Sequence, residues 1–227
     1  MHELIRRDNY DEAAWLLFLA TYIGKHPRQG WALLKGIYSR LDGSSFWIWE
    51  SVSKDPDSFK NWIIARQEQL RELSPLGPLH KNSALDTYKA FSISEDLCSY
   101  IYWVQAFKGH HKLFHTAMSD SQNTKGEVFD YLYNSMNQWI KANRSIKFDY
   151  LTLLGQSGIV YAEPARLYFE DAYLVKHGAR RLFAGSRNVK MPTQLLNGKT
   201  MALIRYLDLP FAAQVLRQGL SLWIQSN

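Results

Sequence analysis

Residues 144–181 read RSIKFDYLTLLGQSGIVYAEPARLYFEDAYLVKHGARR, and the reading of this stretch decides the fold. It holds an Asp inside an apolar run, a Gly-x-x-Gly turn, a Glu-Pro pair and a basic cluster. Phe148 to Leu154 predicts a short apolar helix ending at Gly155-Gln156-Ser157-Gly158, and Pro164 predicts the start of a second helix. Two helices around a glycine hairpin present backbone N–H groups at a turn and a helix N-terminus, an arrangement that suits a phosphate. The plain alternative is a helix-to-helix turn, because Gly-x-x-Gly alone is a weak signal. Lys176, His177, Arg180 and Arg181 follow within two turns, with Arg187 and Lys190 beyond them. Such a cluster suits a phosphate-gripping edge, where each contact releases counterions. A solvated basic face gives the same pattern.

Outward from this stretch the chain reads as helices throughout. Asp11 to Ile23 is apolar almost all round, with acids in its first turn and Gly24 at its end, so it predicts a buried central helix. A second helix is predicted from Gln29 to Leu41, closed by Gly43. Asp55-Pro56 supplies a capping residue and a proline at the first helical position, and Phe59, Trp62, Ile63, Leu70 and Leu73 continue the stripe. Ser74 to Ser83 predicts a long surface loop that can divide two subdomains. Ser94, Glu95 and Asp96 predict a helix start, with the stop at Gly109 favouring helix over the strand-like Tyr100 to Val104. Ser119 to Gly126 reads as a loop, Glu127 to Lys141 as a helix, and Pro210 as the opening of the last helix. The sum is an all-α chain, taken as a single domain over 1–227 with two helical subdomains as an option around a DNA-binding cleft.

The 227 residues, 46% hydrophobic and 14% aromatic, suffice for a large core and exclude a disordered chain. The net charge of +6 favours an anionic partner, with nucleic acid the first expectation. Lys and Arg outnumber Asp and Glu between Arg144 and Arg187, while the first half of the chain is closer to balance. Cys98 is the single cysteine and cannot form an internal disulfide, which fits a reducing cytoplasm. The N-terminus lacks a signal-peptide pattern, and the apolar run from Ala13 to Ala20 is too short for a membrane span. A cytoplasmic protein without a membrane partner is expected.

Asp149, Glu163, Glu170 and Asp171 are the carboxylates of the stretch. Cleavage of an N-glycosidic bond develops positive charge on the sugar, and a carboxylate near that carbon can stabilise it or orient a water. Asp149 is the most unusual, lying between Phe148 and Tyr150 before an apolar run, although Asp at a helix start is also an ordinary cap. Glu163 before Pro164 carries the same ambiguity. His111 and His115 stand four apart beside His110, with no Cys and few acids nearby, so no metal site is expected, and His110 and His111 are read as lining a polar cleft. No Walker-type loop, dinucleotide fingerprint or nucleophile elbow is present, and no cofactor is expected.

With DEAAWLLFLATYIG near the start, YIYWVQAFKGHHKLF in the middle and KFDYLTLLGQSGI, EPARLYF and HGARRLFAG beyond, the chain resembles the alpha-glutamyl/putrescinyl thymine pyrophosphorylase-like proteins, a group similar to helix–hairpin–helix DNA glycosylases. The resemblance covers most of residues 10–185. It implies an all-α, helix–hairpin–helix glycosylase-like domain that acts on hypermodified pyrimidines of phage DNA. The target base is flipped into a pocket, and a catalytic Asp stands beyond the hairpin's second helix. The chain departs from that pattern: it lacks the Leu-Pro-Gly-Val-Gly wording, no Val-Asp-Thr-His-like segment follows, and Asp171 comes early. Whether Asp149 or an acid beyond the turn is catalytic stays open.

The expectation is a monofunctional anti-phage DNA glycosylase that removes a bulky pyrimidine, glucosylated 5-hydroxymethylcytosine first, from double-stranded DNA carrying modified bases and leaves an abasic site. Asp149, Glu163 and Asp171 are its candidate catalytic acids. Arg144, Lys147, Gly155, Gly158, Lys176, His177, Arg180 and Arg181 are the candidate DNA-binding residues, and His110, His111 and Tyr150 the candidate base pocket. The alternatives are a transferase displacing pyrophosphate from activated hydroxymethyluracil, and a non-catalytic DNA-binding module.

Overall fold

Helix α2 (Tyr10–Ile23) is the axis on which the other elements pack. Asn9 caps it by accepting the Glu12 N–H at 3.3 Å, Gly24 ends it at φ 73°, and Ala13, Ala14, Trp15, Phe18 and Leu19 are fully buried between neighbours on several sides. A helix apolar around its whole circumference can lie only in an interior, and this one does. The computed structural model describes residues 2–73, 90–121, 124–139 and 144–226, with the side chains of 2, 90–92 and 144 outside the description.

In chain order, α1 (His2–Arg6) and α2 lead to α3 (Ala32–Tyr38), α4 (Trp49–Lys54), α5 (Pro56–Ala65) and α6 (Gln67–Glu72). After residue 89 come α7 (Ala90–Ala106), α8 (His110–Asp120), α9 (Lys125–Ser135) and α10 (Arg144–Gln156). The last three are α11 (Tyr173–Ala184), α12 (Thr193–Leu207) and α13 (Ala212–Gln225). Short 3-10 turns occupy Met136–Gln138 and Phe169–Asp171. The chain is all-α: the described residues contain no strand beyond an isolated His26–Gly30 bridge. None of their helices is long and apolar enough to cross a membrane.

Two clusters of buried side chains organise these helices. The larger surrounds α2 and draws on α3 to α10, reaching Tyr168. The smaller is built from Leu167, Phe169, Val175, Ala179, Leu196, Ala213 and Leu220, so α11, α12 and α13 close on a core of their own. Gly178 permits that closure, because a Cβ there would stand 2.7 Å from the Leu220 carbonyl oxygen.

Several predicted boundaries move, each for a local reason. The Asp55-Pro56 start of α5 holds, with Asp55 accepting the Ser58 N–H at 2.9 Å. The start predicted at Ser94 does not: α7 begins at Ala90, and Ser94 and Asp96 are buried within it. Asp96 serves a tertiary bond, accepting the Tyr22 hydroxyl at 2.7 Å. Glu12 is likewise more than a first-turn acid; it is buried and accepts the Tyr38 hydroxyl at 2.7 Å and the Trp49 N–H at 2.6 Å, tying α3 and α4 to α2. The helix predicted over Gln29–Leu41 is shorter, because Arg40 and Leu41 take left-handed backbone. Helix α9 starts at Lys125 under a Thr124 cap and gives way to a 3-10 turn at Met136. The predicted last helix begins at Ala212, two residues after Pro210. The predicted Ser74–Ser83 loop, Ile140 and Lys141 lie outside the described residues.

The helix predicted from Phe148 starts earlier, at Arg144, and runs through Gly155. It ends in a Schellman turn, in which Ile159 N–H bonds to Leu154 C=O at 3.1 Å and Gly158 N–H to Gly155 C=O at 3.1 Å. Gly158 takes the left-handed conformation, φ 73°, that this turn requires. Pro164 does not start a helix. The chain returns irregularly along α9 and α10 until the Phe169–Asp171 turn, and the next α-helix opens only at Tyr173. Tyr168, left-handed at φ 50° and fully buried, fixes that path.

Candidate functional site

The returning segment lays charged groups against α9, α10 and α13, and a buried polar cluster forms there. Lys147 occurs every third or fourth residue with Leu151 and Leu154 on the inward stripe of α10, so its ammonium is carried into the interior, 1% exposed. Its Nζ donates to the Asn137 side-chain oxygen, lies 3.6 Å from Asp171 Oδ2 and sits 4.7 Å over the Tyr133 ring. The Asp171 side chain, 3% exposed, also accepts the Tyr133 hydroxyl. Burial, followed by the Asp171 carboxylate, pushes the Tyr133 hydroxyl well above the usual phenol range, so Tyr133 is a hydrogen-bond donor at any ordinary pH.

Arg217 enters the same region from α13. Its place on the Ala213–Leu220–Ile224 stripe buries it, and Nη1 donates to the Leu167 carbonyl at 2.6 Å while the guanidinium stands 4.1 Å from the Phe148 ring. Desolvation lowers its affinity for a proton, and the carboxylates of Asp149, Asp171 and Glu170 oppose that. On the outer side, Asp130 accepts the Tyr168 hydroxyl at 2.6 Å and Arg166 Nε at 3.3 Å, and Arg166 reaches Glu170 at 2.7 Å. These bonds hold the return segment in one register.

The three candidate acids occupy different environments. Asp149 is exposed on α10 at the edge of this cluster, coupled to Arg217 through space. Asp171 is shielded by Lys147 and Tyr133. Glu163 is a clip, with Oε1 accepting the Phe211 N–H at 2.7 Å and Oε2 3.4 Å from Lys125 Nζ. It joins the start of α13 to α9.

The expected phosphate contacts divide. Lys147 is corrected: a buried ammonium engaged by Asn137 and Asp171 does not face a strand. Gly155 lies within α10, where a Cβ would stand 2.0 Å from the Ala162 carbonyl oxygen, so its missing side chain lets the return segment pack against the helix. Gly158 faces open space, and the Arg144 side chain lies outside the described residues. On α11, Lys176 donates to Thr193 Oγ1 at 2.7 Å and the Arg181 guanidinium lies 4.8 Å from the Trp223 ring. Burial lowers the His177 pKa and the charges of Arg180, Arg187 and Lys176 lower it further.

The expected base pocket is also redistributed. His110 and Tyr150 are buried in the α2 core. They belong to a continuous relay: Asp11 Oδ1 to His110 Nδ1 at 2.6 Å, His110 Nε2 to the Tyr100 hydroxyl at 2.7 Å, and Tyr100 to Tyr150 at 2.6 Å. Desolvation lowers the His110 pKa against the pull of Asp11, and the bond to His110 lowers that of Asp11. His111 is exposed and lines a shallow cleft with Phe107, Lys108, Lys112, His115 and Thr116. Among the described residues no three His, Cys, Asp or Glu side chains converge to hold a metal ion.

Tyr133, Asn137, Arg217 and Asp11 were not among the sequence candidates. Arg217 had a readable signal, a cation on an apolar helical stripe, and Lys147 shares it. Tyr133 reads in sequence as one more core aromatic, and only the chain's return along α9 gives its hydroxyl a carboxylate.

The family model for alpha-glutamyl/putrescinyl thymine pyrophosphorylase, clade 3, matches residues 1–227. No curated protein and no solved structure matches the chain.

Proposed function

Because the chain belongs to the alpha-glutamyl/putrescinyl thymine pyrophosphorylase family, clade 3, we propose that it is an enzyme acting on a modified pyrimidine in DNA, and that it excises this base as a DNA glycosylase. One observation carries the choice of chemistry. Of the three candidate acids, Asp149 alone is exposed, and it bears electrostatically on the buried Arg217 charge. A carboxylate in that position is accessible to a sugar yet set against a fixed counter-charge.

In this reading the N-glycosidic bond breaks with its electron pair leaving on the base. Asp149 stabilises the cationic sugar or orients the water that adds to C1′ and supplies the proton. Asp171, Lys147 and Tyr133 hold α10 and the return segment in place, and Glu163 anchors α13. Lys176, Arg180 and Arg187 hold strand phosphates. The substrate is bulky and hypermodified, glucosylated 5-hydroxymethylcytosine or a modified thymine, and the setting is defence against phage.

A second reading follows the family description: displacement of pyrophosphate from an activated 5-hydroxymethyl pyrimidine by an amine, with the α11 cations receiving the leaving group. One experiment separates the two. The protein is incubated with duplexes carrying glucosylated hydroxymethylcytosine, pyrophosphorylated hydroxymethyluracil or unmodified bases. Alkali-labile strand breaks and free base are expected on a modified duplex. Pyrophosphate release with an intact glycosidic bond establishes the second reading, and neither product on any duplex rejects both.

A further inference from the structure

We propose that Tyr173 and His177 form a stacking platform for an unpaired nucleobase, resting on the reading of this protein as a DNA-acting enzyme. Tyr173 opens α11 two residues after Asp171, and 73% of it is exposed to solvent. Its ring centroid lies 4.2 Å from that of His177, one helical turn on and tilted 42° to it, so His177 backs the Tyr173 ring and leaves it open to solvent for a base. That surface is ringed by cations. Lys176, Arg180 and Arg187 all bear electrostatically on His177, and α11 contains no Asp or Glu.

The backing is stiff. Val175, Gly178 and Ala179 are buried against α13, where Gly178 lets the two helices approach to backbone contact. An exposed aromatic on a fixed helix face, flanked by positive charge, matches the chemistry of a single strand: bases stack on rings and phosphates lie along cations. A paired duplex conceals its base faces, so the platform takes a nucleotide that has left the stack.

The test measures binding of a short, unmodified single strand carrying 2-aminopurine, by fluorescence, across a salt series. Tyr173→Ala is expected to lose roughly tenfold in affinity, while Tyr173→Phe and Tyr173→Trp stay within about twofold of the original, since all keep a ring face. The salt slope is expected to persist in Tyr173→Ala, because stacking releases no counterions, and to fall by about one unit in Arg180→Ala. Unchanged affinity in Tyr173→Ala, equal losses in the Phe and Ala variants, or a reduced salt slope in Tyr173→Ala overturns the proposal. Circular dichroism of each variant checks that α11 is intact, and the Phe and Trp variants keep the comparison within folded proteins. Because the probe is unmodified, this outcome is independent of whether a base is excised.

Discussion

Lys147 on α10 and Asp171 before α11 meet at 3.6 Å with 1% and 3% of their side chains exposed, and this pair joins the larger core to the start of the C-terminal helices. Two charges removed from water attract strongly, but their desolvation offsets most of the gain. The pair therefore matters most through what its loss leaves behind. Asp171→Ala strands a buried ammonium, and Lys147→Met a buried carboxylate. Each is expected to cost about 3–5 kcal/mol in urea unfolding, whereas Lys147→Met with Asp171→Leu recovers much of that loss. Single variants that each lose under about 1 kcal/mol would show that water reaches the pair.

Asp149 is expected to separate activity from stability. Asp149→Asn keeps the shape of the side chain at an exposed position, so unfolding changes by no more than about 0.5 kcal/mol. Base excision falls roughly a hundredfold or more. Single-turnover excision on the modified duplex that the protein prefers is the measurement, and a variant as fast as the original assigns the chemistry to another acid.

The two glycines that close α10 are expected to respond differently. At Gly155 a Cβ would press on the Ala162 carbonyl at 2.0 Å, and backbone cannot step aside as a flexible side chain does. Gly155→Ala is expected to cost about 1–3 kcal/mol or more. Gly158 faces open space, so Gly158→Ala meets only the left-handed strain and costs about 1 kcal/mol. Thermal melts of both variants test the order, and Gly158→Ala being the more damaging would refute it.

Acid sensitivity follows from the buried relay. His110 is held neutral, with its folded pKa below the ordinary 6.5. In the window between that lowered value and about 6.5 the unfolded chain binds the proton more readily, so stability is lost as pH falls through it. Asp11 acts in the same direction at lower pH: its lowered pKa contributes stability above the ordinary carboxylate value, lost as pH drops through the folded one. Glu12 and Asp96, both raised by burial, act in the opposite sense on the carboxylate side. Urea midpoints from pH 7 to 5 are expected to decline, and His110→Gln to flatten that decline. An equal slope in the variant removes His110 as the cause.

The features legible in the amino-acid sequence are local. Uninterrupted helical spacing, Asp55-Pro56, and the glycines at 24, 109 and 158 specify helices and their ends, because caps and backbone permissiveness act within one turn. An apolar circumference at Ala13–Leu19 announces the central helix in the same way. The concentration of basic residues on α11 is equally legible, since no acid interrupts it.

Tertiary structure alone decided what each polar residue does. Ser94 and Asp96 look like a cap and lie inside a helix, because Tyr22 lies opposite Asp96. Lys147 looks like a phosphate contact and is buried, because the chain returns over α10 and brings Asp171 to it. Pro164 resembles a helix start, yet Glu163 is drawn to Phe211 and the segment packs as an irregular strap. In each case the partner is remote in sequence, and the free energy of pairing or desolvating a buried charge exceeds the fraction of a kcal/mol that local propensity contributes.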